Sequence, residues 1–322
     1  MSVNVVKDEP ACPPRDLVGR EVIVSGSTSN LGAGFDALGL ALSVYLRVRI
    51  TAAHPDNAGH LRFTFDNGLT ITGENSIERA FRAAAARRGV AATALPSLDL
   101  AVRSDIPLKA GLGSSAAAIV AGIRLFDVVA GGAEAGVAGR GNLTTDDMLG
   151  LAAELEGHPD NTSASILGGL TASCQADGHV IAIAAPWPED VRVVIATPEL
   201  ALETKAARAA LPDSISRADA IFNLQRTAVL LQAISARRYD AIREALRDRL
   251  HQPYRAPLVP GLERALAFDH PSLLGVFLSG AGPSIAAFTL GDSPAVVELF
   301  EALYRDLRIA CAVRTLQVHQ PA

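Results

Sequence analysis

Cysteine is scarce in this 322-residue chain. Cys12, Cys174 and Cys311 are its three cysteines, scattered, with no CxxC and no nearby pair of histidines. That pattern excludes a disulfide framework or a zinc site and points to a reducing compartment, the cytoplasm. Strong charge of one sign is also missing. The formal net charge is −5, with acidic and basic residues interleaved along most of the chain. No basic field of the kind nucleic acid requires is present. No apolar run approaches the ~20 residues of a membrane helix. The opening stretch MSVNVVKDEPACPPRDL has no apolar core, so no signal peptide is expected; residues 1–18 read as a loose tail. There is no Gly-x-Ser-x-Gly elbow and no HExxH, which argues against hydrolase chemistry. What is present is 49% apolar residues and 20% charged ones, the balance of a soluble protein with a sizeable core. A small soluble ligand suits such a chain.

The first half alternates strand and helix signals. Glu21–Ser25 and Val44–Ile50 read as strands, the second with alternate residues Val44, Leu46, Val48 and Ile50 on one face. Leu61–Phe65 and Leu69–Thr72 flank Asp66-Asn67-Gly68, a hairpin signal. Asn75 or Ser76 caps a helix that stops at Gly89, and Ser97–Arg103 is a further strand. A helix follows from Ser114 to Ala130, and the Gly/Ala-rich stretch from Gly131 to Gly141 reads as a flexible connection. Thr144 or Thr145 caps the next helix, which ends near Gly157. Strands at Leu170–Cys174 and His179–Ala184 precede Pro186-Trp187-Pro188, taken as a boundary between residues 19–187 and 188–322. Beyond it come strand Val191–Ala196, about 80 residues of helical pattern, strands Gly275–Ser279 and Ile285–Leu290, helix Pro294–Leu307 and a strand at Ala312–Val318. This β–helices–β–β–α–β order predicts a two-layer α+β domain.

One segment carries chemistry on its face. Ile106-Pro107-Leu108-Lys109-Ala110-Gly111-Leu112-Gly113-Ser114-Ser115-Ala116 joins a strand to a helix. Glycines let backbone approach an anion, and the first helical turn offers unpaired N–H groups with a favourable dipole. Ser114 and Ser115 add hydroxyls. It is not a Walker A loop, because no Gly-Lys-Ser/Thr follows the glycines. Taken alone, the segment is equally a phosphate cradle or a tight turn before a small-residue helix.

Collinear motifs resolve the ambiguity. Ser27-Thr-Ser-Asn-Leu-Gly-Ala-Gly-Phe-Asp36, Pro107–Ala118 and Leu278-Ser-Gly-Ala-Gly-Pro-Ser284 resemble the three motifs of the GHMP kinases. Glu154-Leu-Glu-Gly-His-Pro-Asp-Asn161 with Gly168-Gly169, Thr204-Lys-Ala-Ala-Arg208 with Leu211-Pro212, and Pro253-Tyr-Arg255 with Val259-Pro260-Gly261 resemble the branch that acts on homoserine. Two departures stand out. The family's Pro-Ala-Thr-Ser-Ala-Asn opening is here Ser25-Gly-Ser-Thr-Ser-Asn30, and Gln252 replaces the acidic residue that often precedes Pro-Tyr-Arg.

The resemblance implies an α+β protein of two domains, the first like the second domain of ribosomal protein S5 and the second ferredoxin-like, with ATP and substrate meeting between them. It implies ATP-dependent phosphorylation of L-homoserine with Mg²⁺, by a cytoplasmic homodimer. Pro107, Lys109, Gly111, Leu112, Gly113, Ser114, Ser115 and Ala116 would hold the nucleotide. Ser115 and Glu154 would hold magnesium, with Glu156 as the rival carboxylate. Asp36 would face the substrate ammonium, Asn30 its hydroxyl end, and Arg208 and Arg255 its carboxylate, a task suited to a planar fork of donors. His158 and Gly280 would be further substrate contacts. Asn161 falls where several GHMP kinases carry an aspartate base. Asparagine cannot take a proton, so catalysis would rest on positioning and electrostatics, with Asp160 as a fallback base or a structural cap.

Overall fold

A computed structural model describes residues 17–55, 58–66, 75–130 and 143–320. Two sheets organise them. The first contains β1 (Glu21–Ser29), β2 (Leu38–His54), β3 (Leu61–Phe65), β4 (Ser97–Ser104), β5 (Leu170–Ala176) and β6 (His179–Ala185). Its order is β3-β4-β2-β5-β6, with β1 also paired to β2, and β3–β4 is its parallel pair. The 17-residue β2 is the spine. Val44, Leu46, Val48 and Ile50 alternate into the core, as their spacing predicts.

Helix α1 (Ser76–Arg87) packs on α2 (Ser114–Ala130), and α2, α3 (Thr145–Glu156) and α4 (Asp160–Leu167) pack with this sheet. Asn75 caps α1 by accepting from the Ile77 and Glu78 N–H groups. Thr144 caps α3 in a reciprocal capping box with Asp147, and Gly157 ends it in the left-handed region.

The second sheet is antiparallel, with β7 (Val191–Pro198), β8 (Leu273–Leu278), β9 (Ile285–Leu290) and β10 (Cys311–Leu316) in the order β10-β7-β9-β8. With helices between β7 and β8 and again between β9 and β10, this is the ferredoxin-like arrangement. The intervening helices are α5 (Thr204–Ala209), α6 (Arg217–Ser235), α7 (Ile242–Ala245), α8 (Gln252–Arg255), α9 (Leu262–Leu266) and, after β9, α10 (Pro294–Leu307). Val191, Val193, Ile195, Phe277 and Phe288 share one apolar cluster with residues of the first sheet, so the two sheets are packed together. After β10 the chain returns to β2, where Ser43 N–H donates to Gln317 O and His319 N–H to Ala41 O. Among the described residues no helix is long and apolar enough to cross a membrane.

The structure corrects two sequence expectations, the extent of β1 and the absence of a helix after Pro159. β1 runs four residues past Ser25, because a register shift at Ser25/Gly26 lets Gly26–Ser29 keep pairing with β2. Leu61–Phe65 pairs in parallel with β4, and the rest of the expected hairpin lies outside the described residues. So do the connection from Gly131 to Gly141 and nearly all of the tail. Helix α4 was not anticipated. It buries Asp160, Asn161, Thr162, Ser163 and Ser165, so it shows no apolar period to read.

Candidate functional site

The turn before α2 is built by close backbone contact. Gly111 has φ +75°, and a Cβ there would lie 2.3 Å from the Ser279 carbonyl oxygen; at Gly113, φ is +69° and a Cβ would lie 2.2 Å from Ser27 Oγ. Both glycines therefore answer to β1 and the β8–β9 turn as well as to any ligand. Ser279 Oγ–H donates to Gly111 O at 2.7 Å, which leaves Thr28 Oγ1–H to donate to Ser279 Oγ at 2.8 Å. Gly111→Ala combines strain with overlap and is expected to cost at least about 2 kcal/mol in urea unfolding. Gly157→Ala, at φ +92° with nothing within 4 Å, meets strain alone; about 1 kcal/mol is expected there.

The turn forms the middle of a cavity of about 770 Å³. Pro107, Lys109, Gly111, Gly113, Ser114 and Ser115 line it, whereas Leu112 and Ala116 are buried in the core and do not. The first-turn N–H groups of α2 have no intrahelical acceptors, and no acidic side chain competes for them in that turn. Lys109 Nζ lies 3.5 Å from Glu203 at the exposed rim.

On one side of the turn the wall is largely apolar, formed by Leu46, Phe65, Ile77, Val102 and Leu108, with Asn75 and Ser104 among them. Apart from Leu108, which belongs to the phosphate turn, this end was not legible in the sequence, because its residues come from β2, β3, β4 and the start of α1 without a shared motif.

On the other side the wall is polar, and Asn30, Asp36, His158, Asn161, Arg208, Arg255 and Gly280 meet there. Asp36 and Arg208 form a two-pronged ion pair, with Nη1–Oδ2 at 3.0 Å and Nη2–Oδ1 at 2.9 Å. Asn30 is buried and braces the backbone: its Nδ2–H donates to Gly280 O at 2.9 Å and its Oδ1 accepts from Asp36 N–H at 3.0 Å. Asn161 is clamped between hydroxyls, accepting from Ser27 and donating to Ser29, each at 2.9 Å. Arg255 is 2% exposed. Its Nε–H donates to Ala207 O and its Nη1–H to Gly280 O. Burial, and then the nearby Arg208, push it down to about 10. Both guanidiniums lie over the Phe35 ring, at 5.9 Å for Arg208 and 5.2 Å for Arg255.

His158, partly buried, and Asp160, buried, form a pair, Nδ1–Oδ1 2.6 Å, beside Asp36. Burial opposes charge on both. The hydrogen bond between them and their opposite charges together outweigh it, so the imidazole is raised above and the carboxyl held below its ordinary range. Stability from Asp160 is present above its unfolded value and lost as pH falls through its folded one. Stability from His158 is full below its unfolded value and lost as pH rises through its folded one. The Tm gap between the parent and His158→Gln is therefore expected to be largest between about pH 4 and 6.5 and to shrink on either side.

The sequence left two carboxylates as rivals for Ser115, and they stand on different faces of α3. Glu156 accepts from Ser115 Oγ–H at 2.8 Å and lines the cavity, and burial raises its carboxyl above the ordinary range. Glu154 is 66% exposed, ion-paired to Arg87 and outside the cavity. Two positions along a helix are about 200° apart, so both cannot face Ser115. The geometry reverses the expected order: Glu156, not Glu154, belongs with Ser115.

Known proteins share this architecture. Residues 75–169 match the family model of the GHMP kinases N terminal domain, and residues 230–307 that of the GHMP kinases C terminal domain. The chain therefore belongs to the GHMP kinases, and its relatives place it in the homoserine kinase branch. A homoserine kinase of Thermus thermophilus is 40% identical, over 88% of this chain and 91% of that protein. One of Moorella thermoacetica is 37% identical, over 92% and 96%. The crystal structure of homoserine kinase from Cytophaga hutchinsonii has the same fold, with a TM-score of 0.77 over 100% of this chain and 98% of that one at 22% identity. The α+β fold expected from the motifs is the one found.

Proposed function

We propose that this chain transfers the γ-phosphoryl group of ATP to the hydroxyl of L-homoserine, giving O-phospho-L-homoserine on the way to threonine. The observation that carries the reading is the polar end of the cavity. One carboxylate and two guanidiniums, Asp36, Arg208 and Arg255, converge beside the α2 N-terminus, which fits a small zwitterion presented to a phosphate site. Residues 19–187 are assigned to the ATP-binding domain and 188–322 to the second, and the protein is taken to work as a cytoplasmic homodimer.

In this reading the α2 turn holds the phosphates and the apolar end takes the nucleoside. Ser115 and Glu156 are oxygen donors 2.8 Å apart at the head of α2, a set that fits Mg²⁺, which takes one or two protein ligands beside phosphate and water. When bound, that ion neutralises charge on the transferring phosphoryl group. Asp36 holds the ammonium and the two arginines the carboxylate, while Asn30 and Asn161 shape the wall. Among the described residues, none of the three carboxylates at the polar end and beside Ser115 is arranged as a base: Asp160 is held ionised by His158, Asp36 is paired with Arg208, and Glu156 faces Ser115. The residues orient the hydroxyl and neutralise phosphate charge, and the proton leaves late, as a loose phosphoryl-transfer transition state allows.

A coupled ADP-release assay with ATP, Mg²⁺ and a panel of acceptors tests this. L-Homoserine is expected to be the best acceptor; preferred turnover of mevalonate or galactose would sink the proposal.

A further inference from the structure

His251 lies outside the cavity and is fully buried, between the two walls of its polar end. Its Nε2 is 2.8 Å from Gly32 O, and a carbonyl only accepts, so Nε2 carries hydrogen and donates. Its Nδ1 is 3.4 Å from Arg255 Nη1, and a guanidinium only donates, so Nδ1 is unprotonated and accepts. The ring also stacks on Phe35, centroids 5.2 Å apart at 21°. Burial first, and the neighbouring Arg255, outweigh Asp248 and Asp36 and keep the imidazole neutral.

We propose that His251 is a positioning residue for the acceptor substrate: a neutral Nε2–H bridge that ties the Gly32–Asp36 loop to the Arg255 fork. The inference rests on the assignment of Arg255 to the homoserine carboxylate. With Nε on Ala207 O and Nη1 shared between Gly280 O and His251, the guanidinium plane is fixed and Nη2 is left without a partner among the described residues. Asp248 supports the same arrangement from behind. Its buried carboxylate accepts from the N–H groups of Leu250, His251 and Gln252 at the start of α8, and from Asn223 Nδ2, which also donates to Ala33 O. The loop bearing Asp36 and the helix bearing Arg255 are thereby held at one spacing, the spacing a small zwitterion must fit.

His251→Phe keeps the stacked ring and removes both hydrogen bonds; His251→Gln can restore a donor and an acceptor. The homoserine KM of His251→Phe is expected to rise about 30-fold with the ATP KM within about twofold, and His251→Gln to recover part of the loss. An unchanged homoserine KM in His251→Phe, or equal rises in both KM values, would overturn the inference. Arg255→Lys separates the layers: if it leaves the homoserine KM unchanged, the carboxylate assignment itself fails, whereas a rise there with none in His251→Phe removes only the bridge. A wild-type measurement decides even if the variants do not fold. Imidazole ¹⁵N shifts should report a neutral Nε2–H tautomer for His251 from about pH 6 to 8; an imidazolium or an Nδ1–H tautomer would contradict the bridge.

Discussion

Glu156→Gln is expected to lower kcat for homoserine phosphorylation by about a thousandfold, whereas Glu154→Gln stays within about twofold of the parent. The contrast follows from where the side chains stand. Glu154 is exposed and ion-paired with Arg87, the kind of surface contact worth at most about 1 kcal/mol. Glu156 is the carboxylate that meets Ser115 at the head of α2. A metal ligand must shed its proton, and burial raises the Glu156 carboxyl. Apparent Mg²⁺ affinity is therefore expected to strengthen with pH through that raised range, and the dependence to vanish in Glu156→Gln. Steady-state rates at saturating ATP, titrated with Mg²⁺ at several pH values, read both effects. A severe Glu154→Gln with a near-normal Glu156→Gln would restore the order that motif spacing suggested.

That reversal marks where sequence stops being informative. In Glu154-Leu155-Glu156 the residue types and their place at a helix end are legible, since Thr144 and Gly157 bound α3 in the sequence itself. Which carboxylate faces α2 depends on how α3 rolls against its neighbours, and no local pattern encodes that. The phosphate turn was legible for the opposite reason: glycines and hydroxyls before a small-residue helix are a local signal, and the structure adds that Gly111 and Gly113 are also required by Ser279 and Ser27. Asp36 and Arg208 were each expected to meet substrate. Their pairing with one another joins residues 172 positions apart, beyond any periodicity. Asn30 was expected at the substrate hydroxyl, and its two hydrogen bonds to backbone make it as much a brace as a contact. Helix α4 and His251 escaped notice together, because polar residues buried in networks look like solvated ones until their partners are known.

The pairing of Asp36 with Arg208 makes the second large prediction. In the free cavity each charge satisfies the other, and both are about a third exposed, so the pair can open without stranding a buried ion. A zwitterion entering between them replaces one ion pair by two, ammonium to Asp36 and carboxylate to the arginines. A hydroxy acid without the ammonium takes the arginine and leaves Asp36 unpaired. The parent is therefore expected to favour L-homoserine over γ-hydroxybutyrate by at least about a hundredfold in kcat/KM. Asp36→Asn should remove most of that preference, chiefly by lowering kcat/KM for homoserine, with the ATP KM within about twofold. General damage to the fold would depress both acceptors and ATP alike, and the ratio would survive. The ratio is the quantity to measure. If Asp36→Asn loses activity on both acceptors equally, Asp36 is a structural partner of Arg208 and the ammonium is read elsewhere. His158 is then the next residue to test, because its ring nitrogen lies within 4.8 Å of the same carboxylate.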